Sequence, residues 1–372
     1  MDIKVIKIGG AVLSRKEGVA GAISLSNELR NENVVVIVSA MVKSTPLLKE
    51  LAQSAKIANN TIIHETFTKL KNIYSEFELS LFGAKMNYVK DYFKMLEQIV
   101  ESVKLTRELS ARVLDRVLAF GEVMTAELLS KWLTENDFNF EFIPATDLII
   151  TTKDFGQAKP IDELINKQIQ DRIHFGNNTP KIILTQGFIA ASENGDTTTM
   201  GYESSNLTAA LIAREVSAKY LEIWTLPEGI RSVDPLIFEN ARLIKGLSYI
   251  QAKELAYAGL KLLHVGMLEY AETGGIELIY RSALQPEGKY TKINSSENNQ
   301  NPVIVANEDS VGEIKFHYIA NHAIDGLFHE LRTIGIPNIE IYNYIEYYNV
   351  TIMSDFALND SQNLRNIIEK YI

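Results

Sequence analysis

Residues 181–235 constrain the fold more than any other part of the chain, because they read as strand, polar loop, helix, strand and loop in that order. Residues 181–185 are a short apolar run with β-branched members, as in a buried strand. Gly187 follows, at a point where backbone bends or is closely approached. Residues 192–206 are polar, and Ser205 or Asn206 is expected to cap the helix that starts at Leu207. Residues 220–224 form the next strand. Strand, helix, parallel strand is a βαβ unit, and open sheets of such units bind ligands beyond the carboxyl ends of their strands. Taken alone, the loop is a capped helix behind a polar surface turn. The same helix N-terminus also offers N–H groups and the positive end of a dipole to an anion.

The chain opens in the same way. Residues 4–8 read as a strand ended by Gly9 and Gly10, residues 16–31 as a helix, and residues 33–38 as a β-branched strand covered on both faces. Residues 39–45 are its loop, and helix returns over 47–58. Residues 64–136 are helical in pattern, with aromatic and methionine stripes whose spacing is that of core packing. Residues 138–143 alternate like a strand, 147–160 are loop-rich, 241–259 pass from strand or loop into helix, 264–274 are helical, and 276–280 form a strand. This order predicts an α/β fold, a mostly parallel sheet with helices on both faces.

The Asn- and Ser-rich residues 295–301 mark the expected boundary between a domain 1–298 and a module 299–372. The module reads β-α-β-β-α, over 311–319, 323–334, 339–342, 349–353 and 360–371. Strands 311–319 and 349–353 are expected to leave an exposed edge. Free N–H and C=O rows invite pairing, so a homodimer is the expected assembly.

Composition removes several function classes. A net charge of −10 argues against a nucleic-acid binder. With no cysteine in 372 residues, disulfides, thiolate metal sites and a cysteine nucleophile are excluded. The six histidines are scattered, and no metal ligands are assigned. No signal peptide or membrane-length apolar run is visible, so the expectation is a cytoplasmic protein with no membrane partner.

The word Lys7-Ile-Gly-Gly10 fits phosphoryl transfer, where the protein mainly positions phosphates and stabilises their charge, although alone it reads more commonly as a strand lysine before a turn. Lys7 at a strand end beside Gly9 and Gly10 is a point charge next to approachable backbone. No P-loop motif occurs. With these stand Phe120-Gly-Glu122, Thr185-Gln-Gly-Phe-Ile189, Thr197-Thr-Thr-Met-Gly201, Thr208-Ala-Ala-Leu-Ile212, Trp224-Thr225 through Asp234-Pro235, and Glu254 through His264. In order and spacing these words resemble the aspartokinases, from residue 4 to about residue 280.

The resemblance implies an amino-acid-kinase fold with one ACT-like C-terminal module. It implies an enzyme that uses ATP with Mg²⁺ to phosphorylate the side-chain carboxylate of L-aspartate in amino-acid biosynthesis. Lys7 and Asn206 would be catalytic. Thr45, Glu122, Phe188, Tyr202 and Ser205 would hold the amino acid, Glu122 at its ammonium. Gly9, Gly10, Ser39, Thr225, Arg231, Asp234 and Lys261 would hold the nucleotide. The chain departs from the family pattern at Ala11 and Val12, where hydroxyls are usual. It departs again at Tyr202, where the family has an arginine, at Asn206, where it has an aspartate, and at Leu226, again for aspartate. Lys43 is a candidate to replace the missing arginine. The departures favour two alternatives: an impaired paralogue that binds a small molecule or a kinase subunit, and a kinase for another carboxylate.

Overall fold

The computed structural model describes residues 3–13, 32–175, 181–201, 203–235, 238–260, 262–306, 313–320, 323–336, 339–343, 347–353 and 362–371. The whole helix expected over 16–31 and the site residues Tyr202 and Lys261 lie outside them. The chain divides into two compact units, residues 1–227 with 269–288, and residues 228–268 with 289–372. The boundary expected at 298/299 falls within the second.

In the first unit, strands β1 (Ile3–Ile8), β2 (Asn33–Val38), β3 (Phe140–Phe142), β5 (Ile182–Gln186), β8 (Tyr220–Thr225) and β10 (Glu277–Ser282) lie in the order β3-β5-β2-β1-β8-β10. Every adjacent pair is parallel. This is the mostly parallel α/β sheet that the alternation of strands and helices predicts. All six residues of β2 are buried, as its unbroken β-branched run requires.

Alternation along the strands separates two layers. Ile6, Ile8, Val34, Val36, Val38, Ile182 and Leu184 join a core with Leu118, Phe120, Met124 and Leu128 of helix Ala111–Glu135. Helices Ser44–Lys56, Asn60–Phe82 and Lys90–Thr106 complete that layer. Two are capped as their sequences suggest: the side chain of Asn59 accepts from Ile62 N, and that of Ser110 from Val113 N. Each such cap is worth about 1 kcal/mol. On the other side of the sheet lies helix Ser204–Glu215, whose middle is buried and which packs on β1, β2 and β8.

The polar stretch 192–206 is more ordered than its composition suggests. β6 (Ile189–Ser192) and β7 (Thr197–Thr199) form an antiparallel hairpin, joined by β4 (Ile150–Thr151). The expected caps are corrected here. The helix begins at Ser204, and its N-cap is Glu203, in a left-handed conformation (φ 61°) with no side-chain cap bond. Ser204 Oγ instead donates to the Gly201 carbonyl at 2.7 Å. Ser205 and Asn206 therefore lie inside the first turn.

In the second unit, β9 (Gly246–Leu247) pairs in parallel with β11 (Tyr290–Ile293). Helix Tyr249–Ala258 starts from a capping box of Ser248 and Gln251. The C-terminal strands form an antiparallel sheet β12-β13-β15-β14, from Val303–Ala306, Glu313–Ala320, Tyr347–Met353 and Ile339–Asn343. Ile314, Phe316 and Val350 on one face share a core with helices Ile324–Thr333 and Gln362–Tyr371. The expectation that strands 311–319 and 349–353 leave an exposed edge is overturned. β13 and β15 are the central pair, β12 covers one flank and β14 the other. The sequence reading missed β12, a four-residue run. None of the described helices is long and apolar enough to cross a membrane.

Candidate functional site

The carboxyl ends of β1, β2, β5 and β8 lie side by side, and most of the expected residues follow them. Lys7 pairs in register with Ile37 and Ile223, and Ile37 pairs with Thr185. The strand ends are tied by backbone bonds. Ser39 N donates to Ile8 O at 3.4 Å, Gly187 N to Val38 O at 2.8 Å, and Gly9 N to Trp224 O at 3.3 Å. The Gly9 N–H is thus engaged within the sheet. Gly10 opens the short helix Gly10–Leu13.

Gly10 is required by close approach. A Cβ there would lie 1.9 Å from the Ala40 carbonyl oxygen. Gly10→Ala is expected to cost about 1–3 kcal/mol through displacement of backbone. Thermal denaturation of the two proteins checks this, and an unchanged midpoint would contradict the packing described.

Gly121 performs the same service on the opposite side. A Cβ there would sit 2.8 Å from the Ala40 side chain. Its absence lets helix Ala111–Glu135 come close enough for Glu122 Oε1 to accept a hydrogen bond from Ala40 N at 3.1 Å. Glu122 is 3% exposed, and its second oxygen, Oε2, is buried without a hydrogen-bond partner. Burial pushes its carboxyl up to about 8, against the Ala40 bond and the charge of Lys7. Burial likewise lowers Lys7 to about 8, opposed by the charges of Glu203 and Glu122. A lysine and a glutamate far apart in sequence are thus electrostatic neighbours. Burial thus disfavours the charged form of both groups, while the charge of each favours the charged form of the other.

Asn206 is buried with Oδ1 unpaired, and Ser205 is buried beside it in the same turn. Phe188 is buried in a left-handed conformation (φ 66°). Thr45 is half-buried in the first turn of helix Ser44–Lys56. Lys43 is exposed just ahead of it. Thr225 ends β8 and donates through Oγ1 to Pro227 O at 2.9 Å. The structure therefore gathers Lys7, Gly9, Gly10, Ser39, Glu122, Phe188, Ser205, Asn206 and Thr225 in the first unit. Arg231 and Asp234 belong to the second unit. There Arg231 is ion-paired with Glu228 at 3.2 Å and bonded to the Ala241 carbonyl at 3.4 Å.

Two contributors were not foreseen. Ala40 acts through its backbone N–H and leaves no signal in residue type. Thr185 has its buried Oγ1 unpaired, in the same row as Lys7 and two strands away, across Ile37. A hydroxyl inside an apolar strand was the available sign.

Among the described residues no group of three or more His, Asp or Glu stands close enough to hold a metal. Buried acceptors without donors, beside a desolvated ammonium, suit a ligand that brings both N–H donors and negative charge.

Residues 2–281 match the model of the amino acid kinase family. Lysine-sensitive aspartokinase 3 of Escherichia coli is 28% identical over 309 residues, 80% of this chain and 65% of that protein. A bifunctional aspartokinase/homoserine dehydrogenase of Buchnera aphidicola is 26% identical over 276 residues, 72% of this chain and 33% of that one. The chain thus spans between a third and two thirds of the length of these relatives. In fold it is similar to E. coli aspartokinase III crystallised with aspartate and ADP, with a TM-score of 0.73 at 22% identity over 100% of this chain and 83% of that one. The chain belongs to the amino acid kinase family, and the relatives it resembles there are aspartokinases.

Proposed function

We propose that the chain is an ATP-dependent phosphotransferase of the aspartokinase type, acting on the side-chain carboxylate of L-aspartate or a similar amino acid. The observation that carries this reading is the unpaired, buried Oε2 of Glu122 beside the desolvated ammonium of Lys7. Glu122 would take the ammonium of the acceptor. Lys7 would offset charge on the phosphoryl group as the acceptor oxygen forms its bond to phosphorus and the bond to the ADP oxygen breaks. Thr45 and Ser205 would hold the rest of the acceptor. Gly10, Ser39 and Thr225 line the nucleotide side in this reading. Mg²⁺ would arrive on the phosphates, with water filling much of its coordination. The described residues form no cage for it.

A second reading, a kinase for another carboxylate or an impaired paralogue, is favoured by one observation. Asn206, neutral and unpaired, stands where the resemblance calls for an aspartate. Coupled release of ADP over a panel of amino acids and other carboxylates separates the readings. Release with aspartate supports the first, release with a different acceptor the second. Release with none, while ATP still binds, would leave only the paralogue.

A further inference from the structure

Asp115 lies on the same helix as Glu122, seven positions earlier (115 to 122), about two turns and 10 Å along the axis. It is 1% exposed and accepts three hydrogen bonds. Thr199 N and Thr199 Oγ1 donate at 2.9 and 2.8 Å, and Gly156 N at 2.9 Å. Burial raises its carboxyl, while the Thr199 and Gly156 bonds oppose that shift. Thr199 ends β7, and its carbonyl accepts from Ala158 N at 3.0 Å. The chain then passes through Met200, whose N–H donates to Phe188 O at 3.2 Å, and turns at Gly201 (φ 91°) and Glu203 (φ 61°) into Ser205 and Asn206. One carboxylate therefore fastens both the 153–158 loop and the start of the 200–206 turn to the helix that carries Glu122.

We propose that Asp115 is a positioning residue of the acceptor site: it fixes the Ser205–Asn206 turn at a set distance from Glu122, so that both halves of the site meet one amino acid. The proposal rests on the phosphotransfer reading. Two carboxylates of one helix then divide the work, one with an oxygen left open for the ligand and one bonded to two backbone N–H groups and the Thr199 hydroxyl. An acceptor held from both sides needs that distance constant, because a displacement of about 1 Å lowers reactivity strongly.

Hydrogen exchange on the full chain, joined to steady-state kinetics, tests this with Asp115→Asn and Thr199→Val. The valine variant removes only the hydroxyl bond and keeps the side-chain shape, so it serves if the asparagine variant fails to fold. In Asp115→Asn, amides 197–206 are expected to exchange roughly tenfold faster, with helix Ser44–Lys56 unchanged. The KM for the acceptor should rise roughly tenfold, with kcat and the KM for ATP within about threefold. Thr199→Val should move the same quantities less. Unchanged exchange over 197–206 in both variants would overturn the proposal, as would a joint deterioration of kcat and both KM values. A wild-type chain that phosphorylates no acceptor would remove the phosphotransfer reading instead, and exchange alone would then decide whether Asp115 holds the turn.

Discussion

Replacing Lys7 with alanine is expected to lower kcat/KM for phosphoryl transfer by about a hundredfold to a thousandfold, roughly 3–4 kcal/mol of transition-state stabilisation. The ammonium is already desolvated, so it meets a developing negative charge without first shedding water. Its depressed value of about 8 also sets a pH limit. The proton is lost through pH 8, and activity that depends on the cation should fall above it. Calorimetric titration with Mg·ATP and initial rates measure the two sides of the effect. Equal ATP affinity and equal rates in both proteins would remove Lys7 from the phosphate.

Glu122→Gln should move function and stability in opposite directions. The unfolded value of this carboxyl is 4.5 and the folded value about 8. Between those values the folded chain holds more protons than the unfolded chain. Its contribution is therefore fully present below pH 4.5 and is lost progressively as pH rises through about 8. For Lys7 the sign is reversed. The folded value lies below 10.5, the unfolded chain holds more protons between about 8 and 10.5, and stability is regained across that window. The pair thus places a stability minimum near pH 8. Glutamine keeps an acceptor for Ala40 N and removes the charge, so the variant should be about 1–3 kcal/mol more stable at pH 8. It should raise the KM of an ammonium-bearing acceptor about 30-fold or more.

A second signature accompanies this. Burial raises the carboxyl to about 8, so binding of an ammonium near neutral pH, which favours the charged form, should release a proton. Calorimetry in buffers of different ionisation enthalpy should detect the release in wild type and not in the variant. A variant less stable than wild type at pH 8, with unchanged acceptor binding, would contradict the account of Glu122.

Residue type made some of this legible and hid the rest. The β-branched run of β2 declared a strand buried on both faces because no polar side chain interrupts it. β7 was hidden, since three threonines read as loop until the β6 partner is known. The N-cap was misread for a related reason. Ser205 and Asn206 are good caps by type, but the Gly201 turn delivers Glu203 to that position. Lys7 and Glu122 were identified by resemblance to a family, not by spacing. Their proximity depends on Gly121 admitting the helix to Ala40, a fact of packing with no periodicity. The edge expected on β13 and β15 failed because the four residues of β12 were too few to register in a pattern.

The division of the chain bears on how it is made. Segment 269–288 belongs to the first unit although residues 228–268 belong to the second. β8 ends at Thr225, while its partner β10 spans Glu277–Ser282. During synthesis from the N-terminus, one side of β8 must wait some fifty residues, several seconds at ribosomal speed, for the strand that closes it. In that interval a buried-type apolar strand is open to wrong partners, so a ribosome-bound chain ending shortly after Pro227 is the form most in need of a chaperone.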